Sequence, residues 1–205
     1  MVIGILALQG NVREHLANLN RHDMQGRPVR LPGDLAGIEG LILPGGESTA
    51  IMRNLVSSSG LEEPVGDLIH QGLPVWGTCA GVVLLARGGI WPSVDIQVER
   101  NAYGSQTFSR LVHGTSALSE TPTPMVFIRS PRIVSAGREV EVLAEVEGDM
   151  VAARQGGILL TTFHPELVDH SPFTACFIDM VKAEKGRRLR VADPPPPDPL
   201  SSSSP

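Results

Sequence analysis

A chain of 205 residues, 41% hydrophobic and only 4% aromatic, is long enough for one domain with a core built mostly of Leu, Val, Ile and Ala. Its formal net charge of −5 argues against a general nucleic-acid or anionic-membrane binder, and no apolar run approaches the roughly 20 residues of a membrane span. Two cysteines make no disulfide framework, and no basic stretch precedes the apolar N-terminus; a secretory signal is not expected and a cytoplasmic location is.

Val2 to Leu8 reads as a continuous apolar strand, the pattern of a sheet covered on both faces. Gln9-Gly10 turns the chain. Asn11, with Glu14 three residues on, gives a capping-box-like start to a helix whose buried side is Val12, Leu16 and Leu19. Pro28 to Leu31 predicts a short second strand and Leu41-Ile42-Leu43 a third. The loop Pro44-Gly45-Gly46-Glu47-Ser48 follows, with Ser48 placed to cap a helix carrying Ile51, Met52, Leu55 and Val56. Glu62 to His70 predicts another helix. Leu73-Pro74-Val75-Trp76 then runs, as a short buried strand, into Gly77-Thr78-Cys79-Ala80-Gly81, and Val82 to Ala86 reads as a buried helix. This alternation predicts a parallel doubly wound sheet. Ligands of such sheets gather beyond the carboxyl ends of the strands, where Gly45-Gly46 and Cys79 both fall.

The second half changes character. Val94 to Arg100, Thr107 to Val112, Met125 to Ile128, Val140 to Val146, Met150 to Ala153 and Ile158 to Phe163 all read as strands. Val140, Val142, Ala144 and Val146 alternate, and Gln155-Gly156-Gly157 is a hairpin turn. After Phe163-His164-Pro165-Glu166-Leu167 comes a last helix, with Ser171 as its cap, Pro172 in its first turn, and Phe173, Cys176, Phe177, Met180 and Val181 as its buried stripe. Residues 1–191 read as one domain, and 192–205, rich in Pro and Ser, as a disordered tail.

Small residues on both sides of Cys79 allow the sharp strand-to-helix turn that exposes a nucleophile at its tip, where the start of a helix favours the thiolate. A small buried residue is the ordinary fate of a free cysteine; the paired glycines, the strand before and the helix after argue otherwise. A thiol nucleophile needs a base, and the base an orienting group. His164 at a strand end and Glu166 two residues on supply both, while the other five histidines read as structural. The backbone N–H groups of Gly45-Gly46 and of Ala80 can provide an oxyanion site, although Pro44-Gly45-Gly46 taken alone reads as a plain loop. No phosphate-binding glycine motif is present, and the cysteines and histidines lack metal-ligand spacing, so neither a metal nor a cofactor is expected.

Taken together, these segments resemble the class I (triad) glutamine amidotransferases, and more narrowly the PdxT/SNO family, whose members are glutaminase subunits of pyridoxal phosphate synthase. The resemblance rests on Gly4-Ile5-Leu6-Ala7-Leu8-Gln9-Gly10, Leu43-Pro44-Gly45-Gly46-Glu47-Ser48-Thr49, Gly77-Thr78-Cys79-Ala80-Gly81, Val98-Glu99-Arg100-Asn101-Ala102-Tyr103-Gly104, Phe127-Ile128-Arg129 and Phe163-His164-Pro165-Glu166-Leu167. It implies a three-layer, flavodoxin-like α/β fold: a mostly parallel central sheet with helices on both faces and added antiparallel strands in the second half. It implies that Cys79 attacks the side-chain amide of L-glutamine, that His164 moves the protons, and that Glu166 holds His164. It implies a glutamine pocket lined by Gly46, Glu47, Ser48, Arg100, Ile128 and Arg129, an oxyanion site at Gly46 and Ala80, and a role for Gln9 in coupling partner docking to activity. The implied partner is a PdxS/SNZ-like synthase subunit in a large hetero-oligomer, which takes up the ammonia. The chain departs from the family in its short 22–35 and 87–93 segments and in Ser105, where a basic residue is usual. The competing readings are an amidotransferase subunit of another pathway, a catalytically impaired regulatory homologue and a redox-sensing cysteine protein.

Overall fold

The computed structural model describes residues 1–46, 49–100 and 110–192, with backbone alone at 49–52 and 192. The first half interleaves strands and helices: β1 (Val2–Leu6), α1 (Val12–Arg21), β2 (Gln25–Val29), β3 (Gly40–Leu43), α2 (Thr49–Ser59), α3 (Glu62–His70), β4 (Val75–Thr78) and α4 (Ala80–Leu85). The second half supplies β5 (Ile96–Glu99), β6 (Arg110–Ser116), β7 (Ser119–Phe127), β8 (Arg132–Ala136), β9 (Glu141–Val146), β10 (Asp149–Gln155), β11 (Ile158–Thr161) and α5 (Pro172–Ala192). The strands run β2-β1-β3-β4-β11-β10-β9-β6-β7 across the sheet, with β5 and β8 paired to the side. From β2 to β11 the pairing is parallel, and beyond β11 it is antiparallel.

The apolar strands divide their side chains between two cores. Leu41 and Leu43 of β3, Val75 of β4, and Ile158 and Leu160 of β11 pack on one face with Val56, Val65, Val82 and Leu84 from α2, α3 and α4. Ile3 and Ile5 of β1, Ile42, Trp76 and Leu159 pack on the other with Leu19 of α1 and Phe173 and Phe177 of α5. Successive strand residues point to opposite faces, so a strand buried on both needs an unbroken apolar run, which β1, β3, β4 and β11 have.

Several expectations shift. β1 ends at Leu6, and β2 starts earlier than predicted and stops at Val29. The strand β8 was not legible: only Ile133 in it is buried, so no alternation marks it. The predicted alternation of β9 fails, because Leu143 and Ala144 are both buried while Val142 is exposed; register shifts opposite it in β10 turn neighbouring residues to the same side. Ser171 does not cap α5 through its side chain, since its buried Oγ has no hydrogen-bond partner among the described residues, and Cys176 is only half-buried. The cap predicted at Ser48 lies outside the described residues. No helix among the described residues is long and apolar enough to cross a membrane.

Candidate active site

Four parallel strands end at one place, and each delivers a piece of the site from its carboxyl end. The first is the turn at the end of β4. Cys79 has φ +48° and ψ −111°, a left-handed backbone that a side chain with a Cβ adopts at a cost of order 1–3 kcal/mol. It is held there from both sides. Its N–H donates to the Thr161 carbonyl of β11 at 2.8 Å, and a Cβ on Gly81 would run into the Leu43 carbonyl of β3. The sulfur is buried, with Sγ 3.7 Å from the Ile128 carbonyl oxygen.

β11 delivers the second piece. His164 follows it by three residues, is 5% exposed, and is fixed by its N–H donating to the Val126 carbonyl at 2.8 Å. Its Nδ1 lies 2.8 Å from Glu166 Oε1, on the short 3₁₀ turn Pro165–Leu167. Burial alone would lower the His164 pKa, but hydrogen bonding and charge from Cys79 and Glu166 outweigh it and push it up to about 10. Burial likewise opposes the Glu166 charge; the facing His15 and His164 rings and the Asn11 amide overcome it and hold the pKa down to about 2.

The third piece is the loop after β3. A Cβ on Gly45 would stand 2.8 Å from both Cys79 Cβ and His164 Cε1, so only a glycine backbone passes this close over the pair. The Gly45 N–H donates to Thr78 Oγ1 at 3.1 Å. Gly46 lies under the Gln9 side chain, whose Nε2 is buried with no hydrogen-bond partner among the described residues.

The end of β1 brings what sequence reasoning missed. Asn11 makes no side-chain cap on α1. Its Nδ2 donates instead to Glu166 Oε1 at 2.9 Å and lies 3.2 Å from His164 Nδ1. One turn on, His15 is buried, with Nε2 3.3 Å from Thr78 Oγ1 and 3.6 Å from Glu166 Oε2. The available signal was a polar row, Asn11, His15 and Asn18, at i, i+4 and i+7 beside the apolar one; His15 and Asn18 are indeed more deeply buried than Val12 or Leu16.

The structure therefore brings together Cys79, His164, Glu166, Gly45, Gly46, Ala80 at the start of α4, Gln9 and Ile128. Arg100, the residue after β5, is exposed, and Arg129 is exposed with φ +49°. Neither reaches the Cys79 cluster by a hydrogen bond or ion pair among the described residues. Glu47 and Ser48 lie outside the described residues. No group of three or more His, Cys, Asp or Glu among the described residues is arranged to hold a metal ion.

A thiol at a strained turn, an imidazole beside it and a buried carboxylate behind the imidazole form the constellation of a cysteine nucleophile with an oriented base. Comparison with known proteins agrees in kind. The SNO glutamine amidotransferase family model matches residues 5–183. The pyridoxal 5'-phosphate synthase subunit PdxT of Streptomyces griseus is 45% identical over 192 residues, covering 89% of this chain and 96% of the relative. The PdxT of Thermotoga neapolitana is 44% identical over 193 residues, 89% of this chain and all of the relative. A solved glutamine amidotransferase superposes with a TM-score of 0.80 at 35% identity, over 89% of this chain and 100% of its own. A chain of the PurLQS structure from Thermotoga maritima, at 15% identity and a TM-score of 0.66 over 90% of this chain and 98% of its own, shares the fold alone. Matched along nearly its whole described length, with the strand-end cysteine and histidine in place, the chain belongs to the SNO glutamine amidotransferase family.

Proposed function

We propose that this chain is a glutaminase that hydrolyses L-glutamine to L-glutamate and ammonia, as the amidotransferase subunit of a pyridoxal 5'-phosphate synthase. The observation that carries the reading is the convergence of Cys79 Cβ and His164 Cε1 on Gly45, with Glu166 Oε1 2.8 Å behind His164 Nδ1. Hydrogen bonding and charge from Cys79 and Glu166 raise the His164 pKa to about 10, so the imidazole carries a proton at neutral pH.

The steps follow from that geometry. Cys79 Sγ, as thiolate, adds to the side-chain amide carbon of glutamine. The developing oxyanion is met by backbone N–H groups of Gly46 and Ala80. His164 passes its proton to the amide nitrogen, the C–N bond breaks and ammonia leaves, giving a glutamyl thioester on Cys79. Water then gives a proton to His164 and its oxygen to the thioester carbon. The C–S bond breaks, glutamate departs, and Cys79 and His164 return to their starting pair. Glu166, steadied by Asn11, keeps the Nδ1 side of the ring occupied so that the other nitrogen faces the sulfur. Arg100 and Arg129 recognise the substrate α-carboxylate, for which a guanidinium fork is suited, and Glu47, Ser48 and Ile128 complete the pocket.

The PdxT names of the relatives support a second subunit as partner, a PdxS/SNZ-like synthase that consumes the ammonia in a cytoplasmic hetero-oligomer. Gln9 couples docking of that subunit to the oxyanion loop, a reading supported by its lying against Gly46. Glutamate and ammonia release by the purified chain, with and without the synthase subunit, tests this. Turnover that rises on adding the subunit and vanishes in Cys79→Ser is expected. Turnover indifferent to that subunit would point to another pathway's amidotransferase.

A further inference from the structure

We propose that His15 is a positioning residue of this glutaminase, its Nε2–H set between Thr78 Oγ1 and Glu166 Oε2 so that one ring fixes both the carboxylate behind the base and the threonine beneath the Gly45 loop. The proposal rests on the hydrolytic reading above and assigns a residue that touches neither substrate nor sulfur.

The two oxygens of Glu166 are treated unequally. Oε1 accepts from Asn11 Nδ2 at 2.9 Å and lies 2.8 Å from His164 Nδ1. Oε2 is buried and has no hydrogen-bond partner among the described residues; His15 Nε2 faces it at 3.6 Å. An ionised carboxylate only accepts. A lone pair on Nε2 would repel it, so the proton of the His15 ring belongs on Nε2. Burial lowers the His15 pKa against the pull of Glu166, and the His164 charge lowers it further while Glu14 opposes. At neutral pH the ring is thus a neutral donor, a dipole turned toward Oε2 rather than a competing cation.

The same nitrogen reaches Thr78 Oγ1 at 3.3 Å, and that oxygen accepts the Gly45 N–H at 3.1 Å. Gly45 is the residue that crosses Cys79 and His164. A chain of contacts therefore runs from the base through Glu166, His15 and Thr78 to the loop above the nucleophile, joining segments after β11, in α1, at the end of β4 and after β3. His15 has little freedom to leave it: the side chain is 1% exposed and its ring meets Trp76 edge-on, centroids 6.0 Å apart. An apolar residue of similar size would fill the space yet take away the polar N–H that faces Oε2 at 3.6 Å, and a buried carboxylate tolerates apolar surroundings poorly.

The test compares wild type, His15→Leu, His15→Gln and His15→Asn in the assembled complex with the synthase subunit, reading kcat and KM for glutamine and the pH profile of kcat. His15→Leu is expected to lose about tenfold in kcat with KM changed by less than about twofold. The acidic limb of its profile is expected to move to higher pH. The groups facing Glu166 are His15 from α1, Asn11 ahead of it and His164 from the strand end; with His15 gone the carboxylate protonates more readily and supports the His164 proton less well. His15→Gln, whose amide reaches about as far as Nε2, should recover most of the kcat and restore the limb. A His15→Leu complex with wild-type kcat and an unmoved limb, or a His15→Gln complex no better than His15→Leu, overturns the proposal. If His15→Leu does not fold, His15→Gln against His15→Asn decides: the shorter amide should be several-fold slower, and equal rates overturn it. A wild-type complex that does not hydrolyse glutamine refutes the hydrolytic reading itself, an outcome visible before any variant is compared.

Discussion

Asn11 Nδ2 lies 2.9 Å from Glu166 Oε1, the oxygen that also faces His164 Nδ1. An asparagine whose sequence context reads as a helix cap is thus spent on the carboxylate behind the base. Asn11→Ser separates the two roles, because serine is an equally good cap but is too short to reach Glu166. We expect Asn11→Ser and Asn11→Ala to lose kcat alike, by about tenfold, in a glutaminase assay. Full activity in the serine variant would restore the cap reading.

Removing members of the Cys79–His164–Glu166 set should not have equal effects. Cys79→Ser and His164→Ala remove the proposed nucleophile and the proposed proton carrier beside it, and turnover should fall below detection. Glu166→Ala removes orientation, and a measurable remainder should persist. Single-turnover release of ammonia distinguishes them; equal residual rates for His164→Ala and Glu166→Ala would contradict this ordering.

Gly45→Ala should inactivate without unfolding. Its Cβ would fall 2.8 Å from Cys79 Cβ and His164 Cε1, closer than such atoms pack, so the loop must lift off the pair. Labelling of Cys79 by an electrophilic glutamine analogue should slow by about two orders of magnitude, while circular dichroism stays that of wild type. Unchanged labelling would mean that the loop has room to spare.

Thr78→Val keeps the shape of the side chain and deletes the acceptor of the Gly45 N–H. A buried donor left unpaired costs about 1–3 kcal/mol, so urea denaturation should show a loss in that range with an unchanged m-value. A neutral substitution would show that water replaces the hydroxyl.

Stability should depend on pH through His164 and Glu166 with opposite signs. His164 is raised from 6.5 to about 10, so its contribution is complete below pH 6.5 and disappears as pH rises through 10. Glu166 is lowered from 4.5 to about 2, so its contribution is complete above pH 4.5 and disappears as pH falls through 2. The stability difference between wild type and His164→Gln should accordingly shrink on going alkaline, and that between wild type and Glu166→Gln on going acid. Denaturation curves that stay parallel across either range would contradict the assignment.

What the sequence revealed and concealed has a physical pattern. Strands buried on both faces are announced by unbroken apolar runs, and β1, β3, β4 and β11 were readable for that reason. The turn at Cys79 was readable because close approaches there require glycine. Edge and side strands such as β8, with one buried residue, leave no such trace. Nor do Asn11, His15 and Thr78, whose importance lies in which oxygen each one faces across the fold. Arg100 and Arg129 stand out by resemblance alone, and both residues are exposed.

The adjacency of β4 and β11 has a kinetic consequence. They pair in parallel, Thr78 beside Thr161, although Thr161 Oγ1 lies 85 positions along the chain from Trp76, whose indole N–H it accepts. The intervening strands extend the same sheet beyond β11, so the chain runs outward across the sheet and comes back to the slot beside β4. The entropy of closing so long a loop grows only logarithmically with its length, so shortening a segment such as 87–93 changes that cost little. Nucleophile and base, however, meet only when this distant pairing zips up, and pairings of that kind are slow. Competence for chemistry should therefore return with the last phase of refolding, well after most of the helical signal has recovered.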